Sequence, residues 1–379
     1  MAIPSNTLVH ILRQKIENQQ GYISFAEFME QALYHPQWGY YNSTHFNIGE
    51  RGDFTTAPEI SPLFAQCVAN QCREIFDHLG QGQVLEIGAG TGKFAKDFLS
   101  YLDTLGCLPS AYYIFEKSST LRNQQRAFLQ STCPHFFPRM IWLDTLPAKF
   151  SGVVIANEVL DALPVHCFRI EDHEIAERCV TWQNDAFAWK ICKPTTDELS
   201  EKIKQIHHQY ALPPGYESEI NLNLTFFLQS LTQAIEKGIL LLIDYGYGQR
   251  EYYRTERSSG TLSCFYQHHN HANPFILPGQ QDITAHVDFT RVIETAIDND
   301  CQLLGYTNQG PFLLACGLTE FVTTAEKQLS PIEIVHLRHA IKLLTFPTEM
   351  GERIKIMALG KNMSVDLSGF NLQDKRKEL

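Results

Sequence analysis

Glu86, Gly88, Gly90 and Gly92 stand at alternate positions in the stretch VLEIGAGTGKF, residues 84–94. Glycine carries no Cβ, so three of them at this spacing let a ligand lie directly against the backbone, with Ala89 between the first two. A helix starting just after them would point its free N–H groups at that ligand. The spacing is G-x-G-x-G, whereas a dinucleotide fingerprint would need glycine at Lys93. The departure favours a nucleoside cofactor without a pyrophosphate, and S-adenosylmethionine is the main candidate. Glu86 sits inside an apolar run, where an unpaired acid is costly. It either anchors the turn through backbone N–H groups or meets the cofactor's amino group.

Other acids follow apolar runs at intervals of one strand and one helix. Glu116 is placed to accept hydrogen bonds from both ribose hydroxyls, as acids at this position do in nucleotide-binding folds. Asp144 would reach the adenine amino group. Asn157, Glu158 and Asp161 lie in NEVLDALP, after a further run. Methyl transfer from a sulfonium is an in-line displacement, so a protein mainly positions the partners. A carboxylate beside the nucleophile can hold a cationic acceptor and take its proton. Paired N–H groups of a guanidinium suit a carboxylate bidentately, which makes Glu158 and Asp161 acceptor-facing candidates. The plainer role for Asn157 and Asp161 is helix capping. Asp244 follows another strand. Asp282, His286 and Asp288 come after a glycine- and proline-marked loop and could sit over the same cleft. The run HHNH at 268–271 has no accompanying acid pattern, so no metal site is expected.

The elements that must position these residues are legible in the hydrophobic pattern. Leu8, Ile11, Leu12 and Ile16 predict a helix over 6–20, and Ser24 with Glu27 predicts a capping box for a second. A third helix is predicted over 62–79. Strands at 83–87, 111–116, 139–143 and 152–156 alternate with helices at 92–102 and 118–131. This rhythm implies a parallel sheet with helices on both faces, and ligands bind beyond the carboxyl ends of such strands. The rhythm breaks after residue 160, where three antiparallel strands and a helix at 196–208 predict an insertion. It resumes with a helix at 223–237, strand 239–243, a helix at 286–297, strand 301–306, a helix at 331–345 and strand 354–359. The division predicted is 1–80 as a helical and aromatic extension, 81–160 with 221–360 as the core, 161–220 as the insertion and 361–379 as a tail, of which 374–378 is a solvated end.

At 379 residues the chain can bury a large core. A formal net charge of −11 argues against unaided binding to nucleic acid and suits a basic protein partner or a cationic acceptor. None of the ten cysteines forms a C-x-x-C pair, which predicts buried thiols in a reducing cytosol rather than zinc or redox chemistry. The first twenty residues contain Glu17 and are not Arg-rich, so neither a signal nor a transit peptide is expected. No apolar run approaches the ~18 residues of a membrane span. A cytoplasmic protein is therefore expected.

Several segments together resemble the MidA-like class I methyltransferases, a family that includes the mitochondrial complex I assembly protein-arginine methyltransferase. They are YHP at 34–36, GYY at 39–41, GDFTTAPEIS at 52–61, EIGAGTG at 86–92, NEVLDALPVH at 157–166, IDYG at 243–246, GTL at 260–262, PGQQDITAHVDF at 278–289 and MG at 350–351. The resemblance spans roughly residues 20 to 360. It implies a doubly wound α/β fold with a mostly parallel seven-stranded sheet, an α+β insertion and an N-terminal helical extension. It implies S-adenosylmethionine as cofactor, with Gly52, Asp53, Phe54 and Thr55 near its site. It further implies a protein arginine as acceptor, on a respiratory NADH dehydrogenase subunit in the mitochondrial relative. Asp53, His286 and Asp288 are second candidates for catalysis. Two other readings stay open: a cofactor-binding assembly chaperone without essential catalysis, and a small-molecule methyltransferase.

Overall fold

The computed structural model describes residues 7–43, 49, 53, 55–172 and 174–379. Gly52 and Phe54 lie outside the described residues. The N-terminal part holds α1 (Leu8–Asn18), α2 (Phe25–Tyr34), the short α3 (Ala57–Ile60) and α4 (Pro62–Leu79). The capping box of α2 is present: Glu27 N donates to Ser24 Oγ at 3.1 Å and Ser24 N donates to Glu27 Oε2 at 3.3 Å.

Strand and helix then alternate through β1 (Gln83–Ile87), α5 (Lys93–Thr104), β2 (Tyr112–Phe115), α6 (Ser119–Thr132), β3 (Met140–Leu143) and β4 (Phe150–Asn157). Next come β5 (His166–Ile170), β6 (Ile175–Gln183), β7 (Ala186–Cys192), α7 (Asp197–Tyr210) and β8 (Glu217–Ile220). The core resumes with α8 (Asn223–Ala234) and the long β9 (Ile235–Tyr247). After α9 (Gln249–Tyr252) come three short strands, β10 (Ser263–Tyr266), β11 (His269–His271) and β12 (Asp282–Thr284). The chain closes through β13 (Val287–Asp288), α10 (Phe289–Asp298), β14 (Cys301–Asn308), α11 (Gln309–Ala315), α12 (Leu318–Glu326), α13 (Pro331–Thr345), α14 (Met350–Arg353) and β15 (Ile354–Lys361).

The central sheet runs β14-β15-β9-β4-β1-β2-β3, with β13 beside the end of β9. β9, β4, β1, β2 and β3 are mutually parallel, and β14 and β15 pair antiparallel. This is the doubly wound, mostly parallel arrangement expected. Residues 239–243 of β9 are no more than 1% exposed, as a strand covered on both faces requires. One apolar layer joins α4 and α5 to the sheet, and the other joins α8 and α10. The chain leaves β1 towards β2 and β3, then returns to β4 on β1's other side. That reversal opens a crevice beyond the ends of β1 and β4.

A separate sheet, β7-β6-β5-β8, occupies 166–220, and β10 to β12 form a third. β8, the third sheet, α11 and α12 were not legible in the hydrophobic pattern. In the tail, residues 374 and 376–378 are exposed and Lys375 is half-buried, but the part before them packs inward. Leu367 and Phe370 are buried in the core, and Lys375 N donates to Tyr306 O at 2.7 Å.

Candidate active site

The glycine turn leaves β1 with left-handed backbone at all three glycines: φ is +66° at Gly88, +51° at Gly90 and +85° at Gly92. A Cβ on Gly88 would stand 3.1 Å from Val159 Cγ2 on the neighbouring strand-end loop. Glycine is therefore demanded here by conformation and by close approach together. The turn forms the floor of a cavity of about 320 Å³, within the usual size for small-molecule sites.

Glu86, Gly88, Ala89, Gly90, Glu116, Asn157 and Glu158 all line this cavity. Glu86 accepts a 2.8 Å hydrogen bond from Tyr112 Oη, and burial lifts its pKa to about 8. Glu116, just past β2, accepts from Ser118 N at 2.9 Å on Oε1 and from Gln125 Nε2 at 3.0 Å on Oε2. Burial pushes it above the ordinary carboxylate range against those bonds. Gly92 is buried beneath the turn as the N-cap of α5 and does not line the cavity.

Glu158 takes a left-handed conformation, φ +52°, immediately after β4. Its Oε1 accepts from Asn157 Nδ2 at 3.2 Å. Its carboxyl lies deep although the residue keeps some exposure to the cavity. Burial first, and the Asp244 charge second, lift its pKa to about 8. Asn157 Oδ1 is buried without a partner, an acceptor available to a ligand donor. The turn after β4 is clamped by Asp244 at the neighbouring position on β9. Its Oδ2 accepts from Val159 N at 3.1 Å, Leu160 N at 2.8 Å and Asp161 N at 3.4 Å. Burial nonetheless raises Asp244 to about 7. Asp161 is buried behind the turn, outside the cavity lining, and is pushed well up by burial and by Asp244, Asp282 and Glu158.

Residues from the N-terminal part close the cavity. Tyr34, Tyr41, Thr56, Pro58 and Glu59 line it, with Tyr34 Oη donating to Ala162 O at 3.0 Å. Glu59 Oε1 accepts from Thr91 Oγ1 at 2.6 Å, which ties α3 to the glycine turn. Thr55 is outside the lining, and Thr56 stands there instead. Asp53 is buried and bonded to Tyr40 Oη at 2.8 Å and Gln267 N at 2.7 Å. It braces the N-terminal part against the loop after β10 and does not reach the cavity.

Three expected positions fall elsewhere. Asp144 is drawn outward by Arg122, 2.5 Å away, with its side chain 85% exposed and outside the cavity. His286 and Asp288 do not sit over the same cleft. They line a second cavity of about 130 Å³ on the far side of Leu160. Asp288 caps α10, accepting from Arg291 N at 3.2 Å and Gln249 Nε2 at 3.0 Å. The His286 ring lies near Tyr245 and Tyr247, and burial, with Arg257, Lys355 and Arg353, lowers its pKa to about 4. The pattern of strand ends missed Tyr34, Thr91, Glu59 and Gln125, which come from helices and turns.

A left-handed glycine cradle, a strand-end acid and an unpartnered amide oxygen fit a nucleoside cofactor. The comparisons agree. A family model described as "Putative S-adenosyl-L-methionine-dependent methyltransferase" matches residues 67–307. A crystal structure of a Burkholderia thailandensis protein bound to S-adenosylhomocysteine superposes with a TM-score of 0.93 at 35% identity, covering 100% of this chain and 99% of that one. The protein arginine methyltransferase NDUFAF7 homologue, mitochondrial, of Drosophila melanogaster is 28% identical, covering 93% of this chain and 84% of its own length. The human protein arginine methyltransferase NDUFAF7, mitochondrial, is 25% identical, covering 94% and 84%. These names overturn the cytoplasmic expectation, since the relatives are mitochondrial proteins. Thiol burial gave no address, because a thiol is buried for packing in any reducing compartment. The cofactor is S-adenosylmethionine, and the chain belongs to this family of S-adenosylmethionine-dependent methyltransferases.

Proposed function

We propose that the protein transfers a methyl group to an arginine side chain of a protein partner. The observation that carries this reading is the set of carboxyl groups on the cavity wall. Among the described residues, Glu30, Glu59, Glu86, Glu116 and Glu158 line it, against one cation, Lys117, which already pairs with Glu30 at 2.8 Å. A cationic acceptor favours the carboxylate forms of Glu86 and Glu158 against burial, so such a wall suits one. The mitochondrial relatives' names point the same way.

Glu86, Gly88, Ala89, Gly90, Glu116 and Asn157 would hold the cofactor. Bound S-adenosylmethionine supplies an electrophilic methyl group on a sulfonium. Glu158 faces the acceptor. A guanidinium beside it favours the carboxylate form, opposing the burial that otherwise keeps it protonated near neutral pH. The carboxylate then receives the proton that the guanidinium nitrogen loses as it gains the methyl group. Asp244 holds the turn so that Glu158 keeps its left-handed placement, and Asp161 acts from behind it.

The test is incubation of the purified chain with labelled S-adenosylmethionine and a panel of arginine, lysine and small-molecule acceptors, read by mass spectrometry. Methylarginine in the peptide products is expected. Methylation confined to lysine or to the small molecules overturns the acceptor assignment.

A further inference from the structure

We infer that Gln125 is a positioning residue for the cofactor's ribose, holding the Glu116 carboxylate and the glycine turn in one fixed relation. The inference rests on Glu116 being the group that meets the ribose hydroxyls. Gln125 sits on α6 and is fully buried, with 0% exposure. Its Nε2 donates to Glu116 Oε2 at 3.0 Å and to Gly90 O at 3.0 Å. Its Oε1 accepts from Trp142 Nε1 at 3.0 Å. An indole N–H can only donate, so it fixes which end of the amide is oxygen. Both amide protons then have one destination each. The amide therefore ties the turn after β1, the acid after β2 and the indole on β3.

The arrangement has a functional consequence beyond packing. Ser118 N holds one carboxylate oxygen and Gln125 holds the other, which fixes the carboxylate plane. A carboxylate fixed in plane and angle meets two neighbouring hydroxyls without losing rotamer freedom on binding, which is where preorganisation gains affinity. The two donors also favour the ionised form against burial. Removing Gln125 alone would loosen the carboxylate and move its ionisation to higher pH. A residue that merely filled space would do neither.

The experiment measures S-adenosylhomocysteine affinity by isothermal titration from pH 5 to 8.5 for wild type, Gln125→Leu, Trp142→Phe, the double variant and Glu116→Ala. Gln125→Leu is expected to weaken binding about tenfold to a hundredfold, losing three bonds of which the one to Glu116 is charge-assisted. Its affinity should fall off at a higher pH than wild type's as the solution is acidified. The KM for S-adenosylmethionine should rise with kcat little changed. Trp142→Phe should give a smaller effect in the same direction, and the double variant should be no worse than Gln125→Leu. Wild-type affinity in Glu116→Ala would overturn the ribose assignment itself. Weak binding in Glu116→Ala with wild-type affinity and pH profile in Gln125→Leu would overturn the inference about Gln125 alone. Should Gln125→Leu not fold, Trp142→Phe decides, and an unchanged affinity and pH profile there refutes it.

Discussion

Asp244 is a contest between two physical effects, and replacing it by asparagine measures which one wins. Four backbone N–H groups, of Val159, Leu160, Asp161 and Tyr245, donate to its carboxyl and favour the anion. Burial at 1% exposure disfavours the anion, and its pKa rises from 3.8 to about 7. A folded-state pKa above the unfolded value means stability that is fully present below pH 4 and lost as pH rises through 7. The gap corresponds to about 4 kcal/mol, or about 1.4 kcal/mol per pH unit between the two values. Asparagine matches the shape of the protonated acid and cannot ionise, so Asp244→Asn lacks this loss. Its stability relative to wild type should improve by about 2 kcal/mol between pH 5 and pH 7. For a chain of 379 residues, at ~2.1 cal/mol/K per residue, that is about 3 °C in Tm. Glu158 and Asp161, both pushed up by the Asp244 charge, reinforce the direction. Differential scanning calorimetry of the cofactor-free protein at pH 5, 6 and 7 reads the difference. A difference that stays flat, or moves against the variant as pH rises, would mean that the four donors outweigh burial and Asp244 is already ionised at pH 5.

Glu158→Gln should lower kcat by about 10²–10⁴ while leaving S-adenosylhomocysteine affinity within a few-fold, because the residue faces the acceptor. In wild type, kcat/KM for the acceptor should rise with pH about a midpoint near 8, the pKa of Glu158 in the free protein. A flat profile from pH 6 to 9 removes Glu158 from the proton path. Asp144→Ala should leave S-adenosylhomocysteine affinity within twofold, since its ion pair with Arg122 is outside the cavity and such exposed pairs contribute only ~0–1 kcal/mol. Gly88→Ala should cost about 1–2 kcal/mol in stability from left-handed strain alone and weaken cofactor binding as well. Val159→Ala in the same chain should relieve the 3.1 Å contact but not the strain, so calorimetry and titration should recover only part of the loss.

What the sequence made legible divides along a physical line. The turn after β1 and the acid after β2 are local: an apolar run ends, the next residues are beyond the sheet edge, and glycine's freedom marks the turn. Asp144 satisfies the same rule and still misses the cavity, because the rule fixes a backbone position and not the direction of a side chain. Arg122, from the first turns of α6, draws that side chain into solvent. His286 and Asp288 were displaced by pairing. β13 runs parallel to β9 at Gly246 and Tyr247, so the segment lies along the far side of Leu160. Gln125 differs, for its signal was present in the sequence. Leu121 and Leu129 lie four residues to either side, and both are buried. Gln124 beside it is exposed. A glutamine on the apolar stripe of an amphipathic helix must bury an amide, and a buried amide must find partners for every donor and acceptor. In a sheet of this kind the partners within reach of a crossover helix are the strand ends, where the ligand also binds. A polar residue that interrupts the buried stripe of the helix after the second strand is therefore a cofactor-site candidate in its own right, and it is found by helical period rather than by strand-end position.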